Sequence, residues 1–416
     1  MNRMISRVAS RLRDLPPCLI SGLFLLLVMA APITADERPS EPNRSVSALQ
    51  SAESIGEFLE QTLRSAERPL PSLVVAVFNT EGKPLVVARG LRKMNSRFPV
   101  TADDHYHFGS ITKPMTATVI ARAVAEGRLR WDQRLSELPG LREIDWNDTL
   151  GQVTLEQLLR HRSGLPTDLP EPIWQAIRHT TQSPRQQRLM VARAIAGAVD
   201  RHPTGPYPFQ YSNTNYILAA VALETAYGEP CESLIAHRLF EPLLMNTCGW
   251  GPVGWAGSDP QRLDAEHSDA PELQPWGHDE RGTPVAPGPM ADNPAALWPG
   301  GGAHGSLADL ARFGQFHLGR GQHPPGLLSA DQLAQLHQPL DDQEYALGWQ
   351  VVQRDWAGGT VWTHNGTNTL NFAVLWLAPA KNWGVAVATN QGGRHAELAC
   401  DAVAAEMIKR FLGNGE

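Results

Sequence analysis

Cysteine is scarce in this chain, with four among 416 residues (Cys18, Cys231, Cys248 and Cys400) and no C-x-x-C spacing between any of them. No H-E-x-x-H or other metal-ligand cluster occurs, which argues against a zinc hydrolase. The G-x-S-x-G elbow of the α/β-hydrolases is missing too. A net charge of -7 leaves no basic surplus for nucleic acid. The longest apolar run, residues 19–31, falls short of the roughly 20 residues that a membrane span needs. No internal repeat or added anchoring domain is visible, which speaks against a cell-wall structural protein.

What is present is a chain with 42% hydrophobic residues, enough for a sizeable core, at a length that allows two or three domains. Arg3, Arg7, Arg11 and Arg13 precede the 19–31 run, the pattern of a secretory signal peptide over residues 1–35. Cleavage is expected near Ala35, although Ile33 is not the small residue favoured at minus three, so an uncleaved anchor stays open. Cys18 lies before the apolar run, the wrong side for a lipoprotein signal. The expected location is periplasmic or secreted. Three cysteines then remain, an odd number for an oxidising compartment; one disulfide, Cys231 to Cys248, is the expected pairing.

Three short motifs carry chemistry. In Ser110-Ile111-Thr112-Lys113, a helix opened by Ser110 puts Lys113 on the same face, with Cβ atoms about 5–6 Å apart, so the amine reaches the hydroxyl. A serine hydroxyl is a weak nucleophile until its proton is taken. Lysine can take it only when burial or nearby positive charge lowers its pKa from about 10.4. Residues 115–125 are largely apolar, which predicts a buried helix and a desolvated Lys113. Pro114 lacks an N–H and disfavours the α conformation before it, so Ser110 belongs at the very start, where helix-end N–H groups face the reacting centre. The same four residues also read as an ordinary buried helix start.

The second motif, Tyr211-Ser212-Asn213, precedes an apolar run at 217–226, and Asn213 or Thr214 reads as the cap of a helix that Gly228 ends. The catalytic reading sets the Tyr211 phenol against the Ser110 hydroxyl. A neighbouring Lys113 ammonium would lower its pKa, making it general base and then acid, while Asn213 bonds Lys113 and the substrate amide. Both readings are compatible. The third motif, His364-Asn365-Gly366, lies between β-type runs at 359–363 and 371–378. A lone histidine there reads as structural. Gly366 at a strand edge, however, permits close approach of a substrate backbone, with the Thr367 N–H as a second oxyanion donor.

Elsewhere, residues 36–48 form a flexible lead-in, and 72–78 with 84–88 predict a hairpin. Thr154 with Gln157 fits a capping box opening a helix that ends near Gly164, and residues 185–199 have helical periodicity. Residues 251–302 are rich in glycine and proline and predict a long irregular wall or lid. Ser306 with Asp309 and Ser329 with Gln332 mark helix starts. Strands are expected at 346–354, 360–363, 371–377 and 383–388, and a helix over 395–412.

With the motifs in this order, the chain resembles the β-lactamase-related serine hydrolases, the group of class C β-lactamases, D-alanyl-D-alanine carboxypeptidases, D-aminopeptidases and related esterases. Phe108-Gly109-Ser110, Leu158-Leu159-Arg160-His161-Arg162-Ser163-Gly164-Leu165-Pro166, Gly300-Gly301-Gly302 and Leu347-Gly348-Trp349 extend the resemblance, which runs from about Ser54 to the C-terminus. It implies an α/β (α+β) fold of β-lactamase/transpeptidase type: an antiparallel sheet flanked by helices, built from 49–125 and 300–416, with a mainly helical domain inserted at 126–299. It implies Ser110 as nucleophile, Lys113 as its activating partner, Tyr211 as general base and acid, and Asn213 as an orienting residue. It also implies that Asn213, His364, Gly366 and Thr367 contact the substrate, with an oxyanion hole from the Ser110 and Thr367 N–H groups and no cofactor or metal.

His364 stands where many relatives carry lysine. Histidine, with a reference pKa near 6.5, gives no permanent charge for a substrate carboxylate. Peptide, amide or ester hydrolysis is therefore favoured over β-lactam turnover, with a small-molecule or peptide substrate of possible cell-wall origin and no nucleic-acid partner. Arg354 is an alternative carboxylate anchor, or a solvated surface arginine. A catalytically silent binding or sensor protein on the same scaffold is the reading from another class; it should have lost Ser110, Lys113 or Tyr211, and all three are present.

Overall fold

Residues 72–78, SLVVAVF, are buried at every position, the signature of a strand covered on both faces. In the computed structural model this strand, β1 (Ser72–Phe78), is joined by a hairpin to β2 (Leu85–Gly90), with Val77 opposite Leu85. The structure describes residues 48–65, 69–198, 205, 207–254, 273–319, 321, 326–340 and 344–413. The expected signal peptide, the lead-in up to Ser47 and residues 255–272 of the glycine- and proline-rich stretch lie outside the described residues.

Short strands follow in the middle of the chain: β3 (His105–His107), β4 (Gly249–Trp250), β5 (Gly277–His278), β6 (Pro284–Val285) and β7 (Ala303–Ser306). Four longer ones close it: β8 (Gln350–Arg354), β9 (Gly359–Thr367), β10 (Phe372–Ala378) and β11 (Trp383–Thr389). The main sheet has the order β2-β1-β11-β10-β9-β8, antiparallel throughout, so β1 from the start of the chain pairs with β11 from its end. The sheet is thus assembled from N- and C-terminal segments, as the resemblance implies. A smaller sheet, β3-β7-β4, sits beside the nucleophile motif.

Side chains alternate across the main sheet with period two. Leu73, Val75 and Val77 join Val385 and Val387 against Ile55, Leu59, Val403 and Met407 of the helices Ala48–Ser65 and Arg394–Leu412. Val74, Ala76 and Phe78 face the other way, into a core with Phe313, Trp349 and the helices Thr112–Ala125 and Asn213–Tyr227. Each such fully buried side chain contributes about 1.5–3 kcal/mol. Among the described residues no helix is long and apolar enough to cross a membrane.

Local signals set many boundaries. Thr154 with Gln157 and Ser329 with Gln332 form complete capping boxes, and the Ser306 side chain accepts from the Asp309 N–H. Gly228 takes a left-handed conformation, φ 74°, and ends the helix before it. Several expectations need correction. The helix opened by Thr154 stops at Leu159, because His161 adopts φ 55° and turns the chain well before Gly164. Ser212, not Asn213 or Thr214, holds the cap position of the next helix, and no side chain caps it. Strand β8 begins at Gln350 and not at Ala346, since Gly348 at φ 83° makes a turn whose open side lies against the Lys113 carbonyl.

The Cys231–Cys248 pairing is also corrected, because Cys231, Cys248 and Cys400 are all free thiols. Cys231 is buried in the core, its N–H donating to Glu224, whereas the Cys248 sulfur packs against Gly305 of β7. Cys400 belongs to the opposite face of the sheet.

One buried ion network braces the helices that carry the site. Arg188 is fully buried and donates to Glu232 at 2.8 and 3.0 Å, to the Ala295 carbonyl at 3.2 Å and to both oxygens of Glu224. It connects helix Pro184–Ala198 to Asn213–Tyr227 and to the segment that leads into Gly300. Arg188→Met would leave Glu224 buried without its cation, and the expected loss is about 3–5 kcal/mol. Urea unfolding measures it; a loss below about 1 kcal/mol would remove the network from the support of the fold.

Candidate active site

Ser110 lies in a tight 3-10 turn, Gly109–Ile111, that runs directly into helix Thr112–Ala125. Pro114 is the third residue of that helix, where a missing N–H breaks no internal bond. Lys113 is fully buried, and its Nζ lies 3.0 Å from Ser110 Oγ, 2.8 Å from Asn213 Oδ1 and 2.7 Å from the Gly300 carbonyl. A neutral amine has two N–H donors and one lone pair. Two of the three neighbours are carbonyl oxygens, which only accept, so in the neutral form both donors go there and the lone pair is left for the serine hydroxyl. Burial pushes the Lys113 pKa well below its ordinary value, in agreement with that arrangement.

The Tyr211 O–H donates to Ser110 Oγ at 2.8 Å from the opposite side. Its phenol is pushed up, not down, by burial, which corrects the expectation of a pKa lowered by a lysine ammonium. Burial thus favours the uncharged form of both the amine and the phenol. The Lys113 Nζ lies 4.7 Å from the centre of the Tyr211 ring.

His161 supports Tyr211 from behind. Its ring is fully buried, 4.3 Å from the Tyr211 ring, and Nδ1 accepts the Ser212 N–H at 3.1 Å. Burial holds it neutral, far below its ordinary pKa.

The third motif occupies the end of β9. Strand β8 pairs with β9 only as far as Thr363, so His364 to Thr367 have no β8 partner. The Ser110 turn packs against that stretch. A Cβ on Gly366 would collide with the Phe108 carbonyl and the Ser110 N, and one on Gly109 with the Thr367 N. Both positions therefore require glycine, and the backbones of Ser110 and Thr367 are brought side by side.

His364 is buried, with Nδ1 2.5 Å from the Asn365 carbonyl and Nε2 3.1 Å from the Tyr345 hydroxyl. The carbonyl fixes the proton on Nδ1, so Nε2 accepts from Tyr345. Burial pulls the ring pKa down to about 3. Both nitrogens are spent inside the protein, so a direct bond to substrate, expected from the sequence, is not what this geometry offers. Arg354 pairs with Gly359 at the far end of β9 and donates to the Gln353 carbonyl, away from this centre. Among the described residues no cluster of three or more His, Cys, Asp or Glu could hold a metal ion.

The structure thus brings Ser110, Lys113, Tyr211 and Asn213 together and sets Gly366 and Thr367 against the Ser110 turn. The Gly300 carbonyl, His161 and Tyr345 are added by the tertiary structure. A signal existed for Gly300, which sits in a run of three glycines.

Five buried histidines are held neutral by burial: His304 down to about 4, His317 and His364 to about 3, and His161 and His337 well below 6.5. The unfolded chain takes up these protons near pH 6.5 and the folded chain only at lower pH. Stability present above pH 6.5 is therefore lost as pH falls toward 4, by up to about 1.4 kcal/mol per pH unit for each histidine. Melting temperature should drop steeply between pH 7 and pH 4.5, and a flat profile would contradict the neutral assignments.

The Beta-lactamase family model matches residues 57–406. Penicillin-binding protein 4 of Amycolatopsis lactamdurans is 28% identical over 339 residues, which cover 78% of this chain and 82% of that protein. A D-stereospecific amidohydrolase from Streptomyces sp. superposes with a TM-score of 0.62 at 22% identity, over 84% of this chain and 97% of the other. The β-lactamase/D-alanine carboxypeptidase of Pseudomonas syringae does so with a TM-score of 0.66 at 18% identity, over 87% and 99%. The last two show a shared fold. Because the family match takes in every strand from β1 to β11 and the motifs between them, the chain belongs to the Beta-lactamase family.

Proposed function

We propose that this chain is a serine hydrolase that acts through an acyl-enzyme on an amide, peptide or ester, of D-alanyl-D-alanine carboxypeptidase, D-aminopeptidase or esterase type. One observation carries the reading: Ser110 Oγ is held between a buried amine at 3.0 Å and a phenol at 2.8 Å. Ser110 Oγ attacks the substrate carbonyl as its proton passes to the neutral Lys113. The developing oxyanion is received by the N–H groups of Ser110 and Thr367, whose backbones lie together because Gly109 and Gly366 lack a Cβ. The Tyr211 phenol then gives its proton to the leaving group.

The acyl-enzyme stage leaves a Lys113 ammonium beside a Tyr211 phenolate, a pair that balances in charge. Attack by water reverses both transfers: the water proton goes to Tyr211 and the Lys113 proton returns to Ser110. Asn213 and Gly300 hold Lys113 throughout, and Asn213 orients the substrate amide. His364 acts as a neutral support for the end of β9. Absence of a fixed cation at this position favours substrates other than β-lactams, whose turnover in the group leans on a carboxylate anchor. Walls drawn from 126–299 would select among them. Arginines ahead of the 19–31 apolar run support export to the periplasm or beyond, where small or peptide substrates of cell-wall chemistry are met.

Ser110→Ala should abolish covalent labelling by a fluorophosphonate or penicillin probe in a protein that stays folded, and undiminished labelling would put the nucleophile elsewhere. Tyr211→Phe should lower turnover by about a hundredfold or more, the scale of losing a proton-transfer group; a change under threefold would take Tyr211 out of the mechanism. A hydrolysis panel of a D-Ala-D-Ala peptide, a D-amino acid amide, a short-chain p-nitrophenyl ester and a chromogenic cephalosporin separates the subclasses. The cephalosporin is expected to be the poorest substrate, and its being the best would overturn the substrate assignment.

A further inference from the structure

Behind the Ser110 turn lies a second polar cluster that takes no part in the proton transfers. Asp292 and His107 are buried, and so is Asn368, the residue after Thr367. His107 ends β3, three positions ahead of Ser110. Its Nδ1 accepts the Gly109 N–H at 3.1 Å, so the ring proton sits on Nε2, which donates to Asp292 Oδ2 at 3.1 Å. The other carboxylate oxygen, Oδ1, accepts from Asn368 Nδ2 at 3.1 Å. The Asn368 amide cannot be turned round freely, because its Oδ1 already accepts from the Leu370 N–H and Asn371 Nδ2, each at 3.2 Å. Asp292 is itself anchored, since Arg178 donates to its backbone carbonyl at 2.8 Å.

A buried carboxylate is costly unless its oxygens are bonded, and here each oxygen serves a different strand of the site. One arm reaches Gly109, the neighbour of Ser110. The other reaches Asn368, the neighbour of Thr367. We propose that Asp292 is a positioning residue that clamps the Ser110 turn to the end of β9 and so sets the spacing of the two N–H groups that receive the oxyanion. This rests on the serine hydrolase reading above. Such donors act only within about 2.7–3.1 Å of where the charge develops, so slack between the two segments weakens the transition state and spares ground-state binding.

Asp292→Asn keeps the volume but offers one acceptor and one donor to two donors, so it cuts one arm; Asn368→Ala removes the arm on the β9 side alone. For a p-nitrophenyl ester, both variants are expected to lose about 10- to 100-fold in kcat with KM within twofold. Affinity for a phenylboronic acid, which forms a tetrahedral adduct on the serine, should weaken by the same factor as kcat. Fluorophosphonate should still label the variants to full stoichiometry, showing the nucleophile intact, a pattern that simple loss of folded protein does not produce. If kcat stays within threefold in both variants, or KM rises while kcat holds, Asp292 does not act through the oxyanion donors, although the hydrolase reading stands. If wild-type protein is not labelled at Ser110, the hydrolase reading falls and takes this proposal with it.

Discussion

The burial of one primary amine governs how the rest of the structure is arranged. Lys113 is fully buried, and among the described residues its amine is bonded to Ser110 Oγ, Asn213 Oδ1 and the Gly300 carbonyl. A charged lysine there would forfeit its hydration for three neutral acceptors, whereas a neutral one is satisfied by two carbonyls and leaves its lone pair for the hydroxyl. Each acceptor arrives from a different part of the chain. The helix Asn213–Tyr227, the segment before β7 and the Ser110 turn must therefore be held in register for the amine to keep all three neighbours.

Much of the surrounding architecture can be understood as maintaining that register. Glycine at 109, 348 and 366 lets backbone lie on backbone around Lys113 and Ser110, where any side chain would force the segments apart. Arg188 binds the helix carrying Asn213 to the segment approaching Gly300. His161 does the same for Tyr211, spending its Nδ1 on the Ser212 N–H and its face on the phenol ring. These supports are polar and buried, so they are strong only while complete.

His364 shapes the electrostatics of the site more than its residue type alone suggests. A surface histidine would titrate near neutrality, but this one is enclosed by Tyr345 and the Asn365 carbonyl and stays neutral down to about pH 3. Burial favours the uncharged form of Lys113 as well. An uncharged site of this kind is the condition under which fixed dipoles discriminate best between a neutral ground state and a charged transition state.

Sequence alone determined the local chemistry: where strands alternate, where Thr154, Ser306 and Ser329 start helices, that Gly228 stops one, and which three motifs could meet as nucleophile, amine and phenol. Those features depend on neighbours a few residues apart, so they are written in the spacing. Tertiary structure decided the rest. That burial favours an uncharged Lys113 and Tyr211, that His364 is spent on Tyr345, that Cys231, Cys248 and Cys400 stay unpaired and that Asp292 links His107 before the Ser110 turn to Asn368 after β9 all follow from burial and from contacts between residues up to 187 positions apart. No spacing along the chain encodes desolvation, because it exists only once the distant segments have closed over the site.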